Sequence, residues 1–173
     1  MSAINRIVST SRSIALLMVV VVIWTAGPAT GQLPVIGWIE PVRIDPENLL
    51  LDAKIDTGAD NSSLDVIDMT LLGKGADAAR SVRFTVRNNR GEIRRLERPV
   101  TRYTRVKRKG AASVRRPVVS LDLCLAGRRI TVPVNLQARA NFKYRMLIGR
   151  SALRGRFLVD SGLVSSAEPI CDE

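Results

Sequence analysis

The sequence of 173 residues contains no histidine. This absence excludes Ser-His and Cys-His nucleophile pairs, histidine-ligated zinc sites and the His-Glu-x-x-His motif of metalloproteases. The Gly-x-x-x-x-Gly-Lys-Ser/Thr loop that cradles nucleotide phosphates is also missing, which excludes an ATP site of that type. Hydrolytic chemistry in this chain must therefore use carboxylates, lysine or a metal bound through oxygen.

Aromatic residues and cysteines are scarce. Aromatics make up 4% of the chain. The basic stretch 80–116 contains only Phe84 and Tyr103, too few to form an evident base-stacking surface, so we expect no nucleic-acid partner. Cys124 and Cys171 are the two cysteines. They pair in an oxidising compartment, or Cys124 is simply a small buried apolar residue, and the sequence leaves both interpretations open.

Residues 14–24, "IALLMVVVVIW", form one long apolar run, with Arg6 and Arg12 before it and small residues after it. The run is shorter than the roughly 20 residues of a membrane-spanning helix and is typical of a signal peptide. We therefore expect residues 1–31 to be a signal peptide or an uncleaved N-terminal anchor. Residues 32–173 would then form one domain, exported to the periplasm or held at the membrane facing it.

The chain is strongly basic, with 27 Lys and Arg against 16 Asp and Glu. Without residues 1–31 the count is 25 against 16, a net charge of +9. Fourteen of the basic residues lie between Arg80 and Arg116, where Glu92 and Glu97 are the only acids. Such a surface attracts anionic partners such as acidic peptides, although solvated hairpin faces are the commoner explanation.

Alternating apolar residues and turn signals predict an all-β fold. "SVRFTVRNNRGEIRRLERPV" reads as a hairpin that turns at 88–91, and "LDLCLAGRRITVPV" as a tighter one that turns at Ala126-Gly127. Residues 100–119 form a third hairpin with its tip near Lys109. Helical periodicity is confined to Asp65–Leu72 and the stretch after Gly149.

Two motifs carry the chemistry. The strand pattern "NLLLDAKI" runs into Asp56-Thr57-Gly58-Ala59-Asp60, and a later apolar segment ends in "MLIGRSAL" at 146–153. A carboxylate at the point where a strand breaks into a glycine turn either bonds its own backbone or is a catalytic group on a rigid edge.

Together these motifs resemble the retropepsin-like aspartic proteases. The closer similarity is to a bacterial subgroup labelled ATP-dependent zinc protease or RimK-related protease, through "IGWIEPV" (36–42), "AKIDTGA" (53–59) and "YRMLIGRSALRGRFLVD" (144–160). The resemblance implies a retropepsin-like closed barrel with one short C-terminal helix. The subgroup usually has a histidine after Ser-x-Leu, where this chain has Asp65, and we expect neither a metal nor another cofactor.

The resemblance also implies a mechanism and its residues. Aspartic proteolysis uses two carboxylates that share one proton, and this chain has one Asp-Thr-Gly, so a homodimer would bring together Asp56 from two subunits. The implied supporting residues are those of the loop and of the Gly-Arg element beneath it: Thr57, Gly58, Ala59, Asp60, Gly149 and Arg150. Asp60 is expected to pair with Arg150.

The hairpin 100–119 occupies the place of the flap, which closes over bound peptide in this family. Its basic residues predict an acidic peptide or protein substrate, or contact with an anionic surface. The candidate contacts are Arg108, Lys109, Gly110, Arg115 and Arg116.

Two other functions remain open from the sequence. The same fold without proteolysis would be a binding module for a peptide or an anionic polymer in the cell envelope. A metal-assisted hydrolase would use Asp56, Asp60 and Asp65 as oxygen ligands.

Overall fold

The alternation in the sequence produces strands whose apolar side chains enclose one core. The structure is a computed structural model that describes residues 32–73, 80–108, 111–138 and 143–171. The segment 1–31, for which we predicted a signal peptide or anchor, lies outside the described residues. In the described part the strands are β1 (Val35–Ile36), β2 (Ile39–Asp45), β3 (Leu49–Asp56), β4 (Ser62–Asp65), β5 (Asp68–Leu72), β6 (Ser81–Arg87), β7 (Ile93–Pro99), β8 (Arg102–Arg108), β9 (Ala111–Leu125), β10 (Arg128–Gln137), β11 (Met146–Gly149) and β12 (Leu158–Val159).

The core is a closed barrel of six strands. Its strand order is β10-β4-β11-β3-β2-β9, and the barrel closes because β9 also pairs with β10. In β3, Leu49, Leu51, Ala53 and Ile55 point into the core while the residues between them face outward. Strands β5, β6 and β7 form a separate three-stranded sheet, and β1 pairs with β12. The predicted all-β closed barrel is confirmed.

The predicted hairpins are present. Strands β6 and β7 meet around Asn88, whose side-chain oxygen accepts hydrogen bonds from the backbone N–H groups of Arg90 and Glu92. Strands β9 and β10 are joined by Ala126 and Gly127, which have φ angles of 47° and 71°. Positive φ at both residues matches the twist of the flanking strands.

The only helix in the described ranges is α1 (Arg150–Leu153), which follows Gly149 as predicted. The helical periodicity of Asp65–Leu72 was misleading, because this stretch contains the end of β4 and all of β5. Strand β5 pairs with β6 and sets Met69 opposite the buried Phe84. No helix in the described segments has the length and apolar character needed to cross a membrane.

The question left open about the two cysteines is answered by a disulfide. Cys124 in β9 is bonded to Cys171, with their Cα atoms 5.9 Å apart. Glu40 in β2 holds the same C-terminal segment, because its buried carboxylate accepts hydrogen bonds from the backbone N–H groups of Ser166 and Ala167. The end of the described chain is therefore fastened to the barrel at two points.

Candidate active site

Asp56 is the last residue of β3, and its position is set by the neighbouring strand β11. Strand β11 lies between β3 and β4, parallel to the first and antiparallel to the second. Gly149, the last residue of β11, is in register with Asp56. Because both strands end at the same edge of the barrel, the two sequence motifs meet there, although they are far apart in the chain.

The turn after β3 holds the Asp56 carboxylate in place. The backbone N–H groups of Gly58 and Ala59 both donate to Asp56 Oδ1, at 3.0 and 3.2 Å. The side chain is half-buried, whereas Thr57 and Gly58 at the tip of the turn are exposed. Asp56 is therefore fixed on a rigid edge with its turn open to an approaching molecule.

Arg150 fastens this loop to the start of α1. Its backbone N–H donates to the carbonyl of Ala59 at 2.8 Å, and its guanidinium donates to the carbonyl of Thr57 at 3.0 Å. The guanidinium also contacts the carboxylate of Asp60, as expected from the resemblance. Asp60 is 77% exposed, so the ion pair adds little to stability, and its effect is to set the position of the loop.

Gly149 is required by a close approach of backbone to backbone. A Cβ at this position would lie 2.6 Å from the carbonyl carbon of Asn61 and 2.8 Å from its oxygen. Ser62 secures the same contact from the other side, because its hydroxyl oxygen accepts a hydrogen bond from the Gly149 N–H at 3.1 Å. Any side chain at 149 would push the loop that contains Ala59 and Asn61 away from β11.

A cleft of about 510 Å³ lies beside Asp56. Positive charges outnumber negative ones in its lining, whose charged residues are Lys54, Asp56, Asp65, Arg116, Lys143 and Arg145. Asp65 is 2% exposed and contacts Arg145. Trp38 and Tyr144 meet edge to face in the lining, with ring centres 6.3 Å apart, and supply an apolar wall.

The flap, defined here as β8 with residues 111–118 of β9, brings only some of its predicted contacts to the cleft. Arg116 lines the cleft and is buried. Arg115 lies on the opposite face, where its guanidinium sits 4.1 Å from the centre of the Tyr103 ring. Arg108 belongs to β8, and nothing is described of its side chain. Lys109 and Gly110 lie outside the described residues.

Several residues that line the cleft were not predicted from the sequence. Asn135 and Gln137 of β10 and Asn61 after the loop all contribute polar side chains to it. No local pattern distinguishes them from ordinary surface residues, because strand pairing between distant segments brings them together. Only the alternation of β10 indicated that Asn135 and Gln137 share one face.

The three carboxylates proposed as metal ligands do not converge. Asp60 is paired with Arg150, and Asp65 is paired with Arg145. In the segments that the structure describes, no three carboxylate or cysteine side chains are grouped so as to hold a metal ion.

Known proteins resemble this chain in sequence and in fold. It is 33% identical over 113 residues to a probable alpha-L-glutamate ligase from Parasynechococcus marenigrum and 29% identical over 111 residues to one from Shewanella pealeana. Each match covers 64% of this chain, which spans only about a quarter of the length of these curated relatives, since 24% of each is matched.

A solved structure of a Legionella pneumophila protein of unknown function is 30% identical, with a TM-score of 0.66 over 78% of this chain and 98% of that one. A model of the family described as "Retropepsin-like aspartic endopeptidase RimB" matches residues 35–168, which include the loop at Asp56, the flap and the Gly149-Arg150 element. The chain therefore belongs to the RimB-like family of retropepsin-like aspartic endopeptidases.

Proposed function

We propose that this chain is an aspartic endopeptidase whose active site uses Asp56. The observation that carries the proposal is the placement of this carboxylate at the end of β3, held by two backbone N–H groups at the edge of a 510 Å³ cleft. A rigidly held carboxylate beside a cleft meets the geometric need of general acid–base catalysis.

The active site that we propose is completed by a second copy of the chain. In aspartic proteolysis one carboxylate takes a proton from the attacking water while the protonated partner donates to the peptide carbonyl oxygen. Each chain supplies one Asp-Thr-Gly, so a two-fold homodimer would place two copies of Asp56 on its axis. Exposure of Thr57 and Gly58 favours this arrangement, because Thr57 would hydrogen-bond across the axis and Gly58 would let the loops approach.

The proposed substrate is an acidic peptide or protein segment. Four of the six charged residues in the cleft are positive, which favours carboxylate-rich chains over neutral ones. The curated relatives are named for joining alpha-L-glutamate, and the matched region is shared with them. A glutamate-containing peptide is therefore the first substrate to test.

We further propose that the protein acts after export, in the periplasm or at the membrane facing it. The apolar run 14–24 supports a targeting segment. The Cys124–Cys171 disulfide supports the same location, because such bonds persist in oxidising compartments.

A non-catalytic binding module is the second candidate. It is favoured by the hydrogen bonds that Asp56 Oδ1 accepts within its own turn, since these alone would give the residue a structural role. Under this alternative the cleft would bind an acidic peptide or anionic polymer without cleaving it.

The test is cleavage of a proteome-derived peptide mixture by the full-length chain, with new termini read by mass spectrometry. Asp56→Asn should lower the rate by about 10²- to 10⁴-fold, the usual contribution of a general acid–base group. Asp52→Asn is the matched control, because Asp52 is an exposed residue of the same strand. The specific rate should also rise with protein concentration until the dimer is saturated.

The other outcomes separate the alternatives. Absence of new termini from a folded dimer would favour the binding module. Loss of cleavage in a chelator would favour metal-assisted hydrolysis, whereas cleavage that persists in a chelator would reject it.

A further inference from the structure

Cys124 lies on the outer face of the barrel wall, beneath the C-terminal segment. In β9, Leu123 and Leu125 point into the core, so Cys124 between them points outward, on the same face as the exposed Asp122. Cys124 is nevertheless fully buried, and its disulfide joins it to Cys171 near the end of the chain. The C-terminal segment therefore covers a side chain that the strand alone would present to solvent.

The two cysteines of this disulfide differ in accessibility. Cys124 is 0% exposed, whereas Cys171 is partly exposed and lines a cavity of about 520 Å³ on the outside of the barrel. This volume is in the range of sites for small molecules. Thiol–disulfide exchange depends on which of the two sulfur atoms an attacking thiol can reach. A thiol that enters the cavity meets Cys171 rather than Cys124.

Two arginines flank Cys124 on the neighbouring strands. Arg43 in β2 and Arg129 in β10 each lie directly opposite Cys124 in the pairing with β9. Directly opposed residues share a face, and their Cβ atoms are about 4.5–5.5 Å apart. Both arginines also line the cavity. Their positive charges would stabilise a thiolate at Cys124, as neighbouring basic side chains do for reactive cysteines.

Two carboxylates in the lining of the same cavity lie farther from Cys124. Asp45 and Asp122 are opposite each other, two residues along their strands from the row that contains Cys124. Asp45 accepts a hydrogen bond from Arg43 at 2.8 Å, and Asp122 accepts one from the hydroxyl of Thr131 at 2.6 Å. Residues at such a spacing are about 7 Å apart. The arginines are the nearer charges, so the net effect on a Cys124 thiolate is attractive.

We propose that the disulfide is an exchange site for a small-molecule thiol, with Cys171 as the sulfur that is attacked. The thiolate of the incoming molecule forms a bond to the sulfur of Cys171 while the bond between Cys171 and Cys124 breaks. The electron pair of the broken bond stays on Cys124, as a thiolate beside Arg43 and Arg129. The products are a mixed disulfide at Cys171 and a reduced Cys124. A stabilised thiolate leaves faster, so the arginines favour this direction of attack.

The exchange would release only the end of the chain. Glu40 holds Ser166 and Ala167 through hydrogen bonds that do not involve sulfur. The segment up to Ala167 would stay on the barrel while residues 168–171 leave it and uncover Cys124. The disulfide would then act as a redox-sensitive latch on the C-terminal segment, a role that goes beyond the proposed proteolysis and does not depend on it.

The test treats the folded full-length protein with glutathione, blocks free thiols with N-ethylmaleimide at early times, and locates both adducts by peptide mass spectrometry. Glutathione is expected on Cys171 and maleimide on Cys124, in about tenfold excess over the reverse pattern. Glutathione shared equally between the two cysteines, or found mainly on Cys124, would overturn the proposal. Exchange that begins only when urea unfolds the protein would overturn it as well, because the folded cavity would then not admit a thiol.

Replacement of one flanking arginine tests the leaving thiolate. The side chain of Arg129 is 48% exposed, so Arg129→Gln should fold, and the initial rate of exchange should fall by about threefold. Arg128→Gln is the matched control, because it removes the same charge from the adjacent residue, which is in register with Leu125 rather than Cys124. It should change the rate less than about 1.5-fold.

An unchanged rate in Arg129→Gln, or an equal loss of rate in the two variants, would overturn the proposal. Neither measurement reads peptide cleavage, so failure of the proposed proteolysis would leave this result unaffected.

Discussion

Replacement of Gly149 by alanine should damage both stability and activity through one contact. The added Cβ would lie 2.6 Å from the carbonyl carbon of Asn61, 2.8 Å from its oxygen and 3.0 Å from the carbonyl oxygen of Ala59. Non-bonded carbon atoms prefer about 3.5–4.0 Å, so the strand and the loop must separate by roughly 1 Å. All three obstructing atoms belong to the backbone and have no rotamer that moves them away. Overpacking of this kind costs about 1–3 kcal/mol of unfolding free energy.

The same shift should reach Asp56, because Gly149 is in register with it and the loop that must move begins at Asp56. A displacement of about 1 Å at reacting groups lowers rates by about 10²-fold. Urea unfolding would measure the stability loss, and peptide cleavage under conditions where the variant stays folded would measure the rate.

Gly162→Ala is the matched control for this prediction. Its Cβ would meet the side-chain oxygen of Asp160 at 3.2 Å, and a side chain can rotate away. Gly149→Ala with the stability and the cleavage rate of the parent protein would refute the reasoning, because the loop would then tolerate a side chain beneath it.

Two other changes test the framework around the site. Cys171→Ser removes a disulfide that spans 47 residues, so the unfolding free energy measured in denaturant titrations should fall by about 2–4 kcal/mol. A reductant should lower the stability of the parent protein but not that of the variant. Asp65→Ala removes the almost fully buried carboxylate of the ion pair with Arg145. The unfolding free energy should fall by about 3–5 kcal/mol in the same titrations, and a loss below about 1 kcal/mol would contradict a buried ion pair.

Local patterns predicted those features that depend on residues close together in the chain. The hairpins at Asn88 and at Ala126-Gly127 follow from turn residues between two strands with alternating apolar residues. In each hairpin the two strands that pair are separated by only a few residues of the chain. The short helix after Gly149 is also local. The loop at Asp56 was located from its sequence motif, since the motif itself contains the backbone donors that hold the carboxylate.

The wrong prediction at Asp65–Leu72 shows where local patterns fail. Eight residues span little more than two helical turns, so a few apolar side chains match a helical period and a strand equally well. Pairing with β6 makes this stretch a strand, because β6 places Phe84 opposite Met69 and offers a full ladder of backbone hydrogen bonds. Strand β6 is too far from β5 along the chain for a pattern within Asp65–Leu72 to reveal this pairing.

The flap arginines show how far alternation can be taken. A period of two already requires Arg115 and Arg116 to point to opposite faces, so the sequence was sufficient to show that only one of them can face the cleft. Which of the two arginines faces the cleft depends on the side of the hairpin that turns toward the barrel. Strand β9 determines this side, because it continues from the flap into the barrel wall and pairs there with β2 and β10. The net charge counts all the arginines of the flap equally, but the topology turns Arg116 inward. A charge on the outer face can attract an anion only to the surface of the protein, whereas the inward charge of Arg116 lies in the lining of the cleft that also contains Asp56.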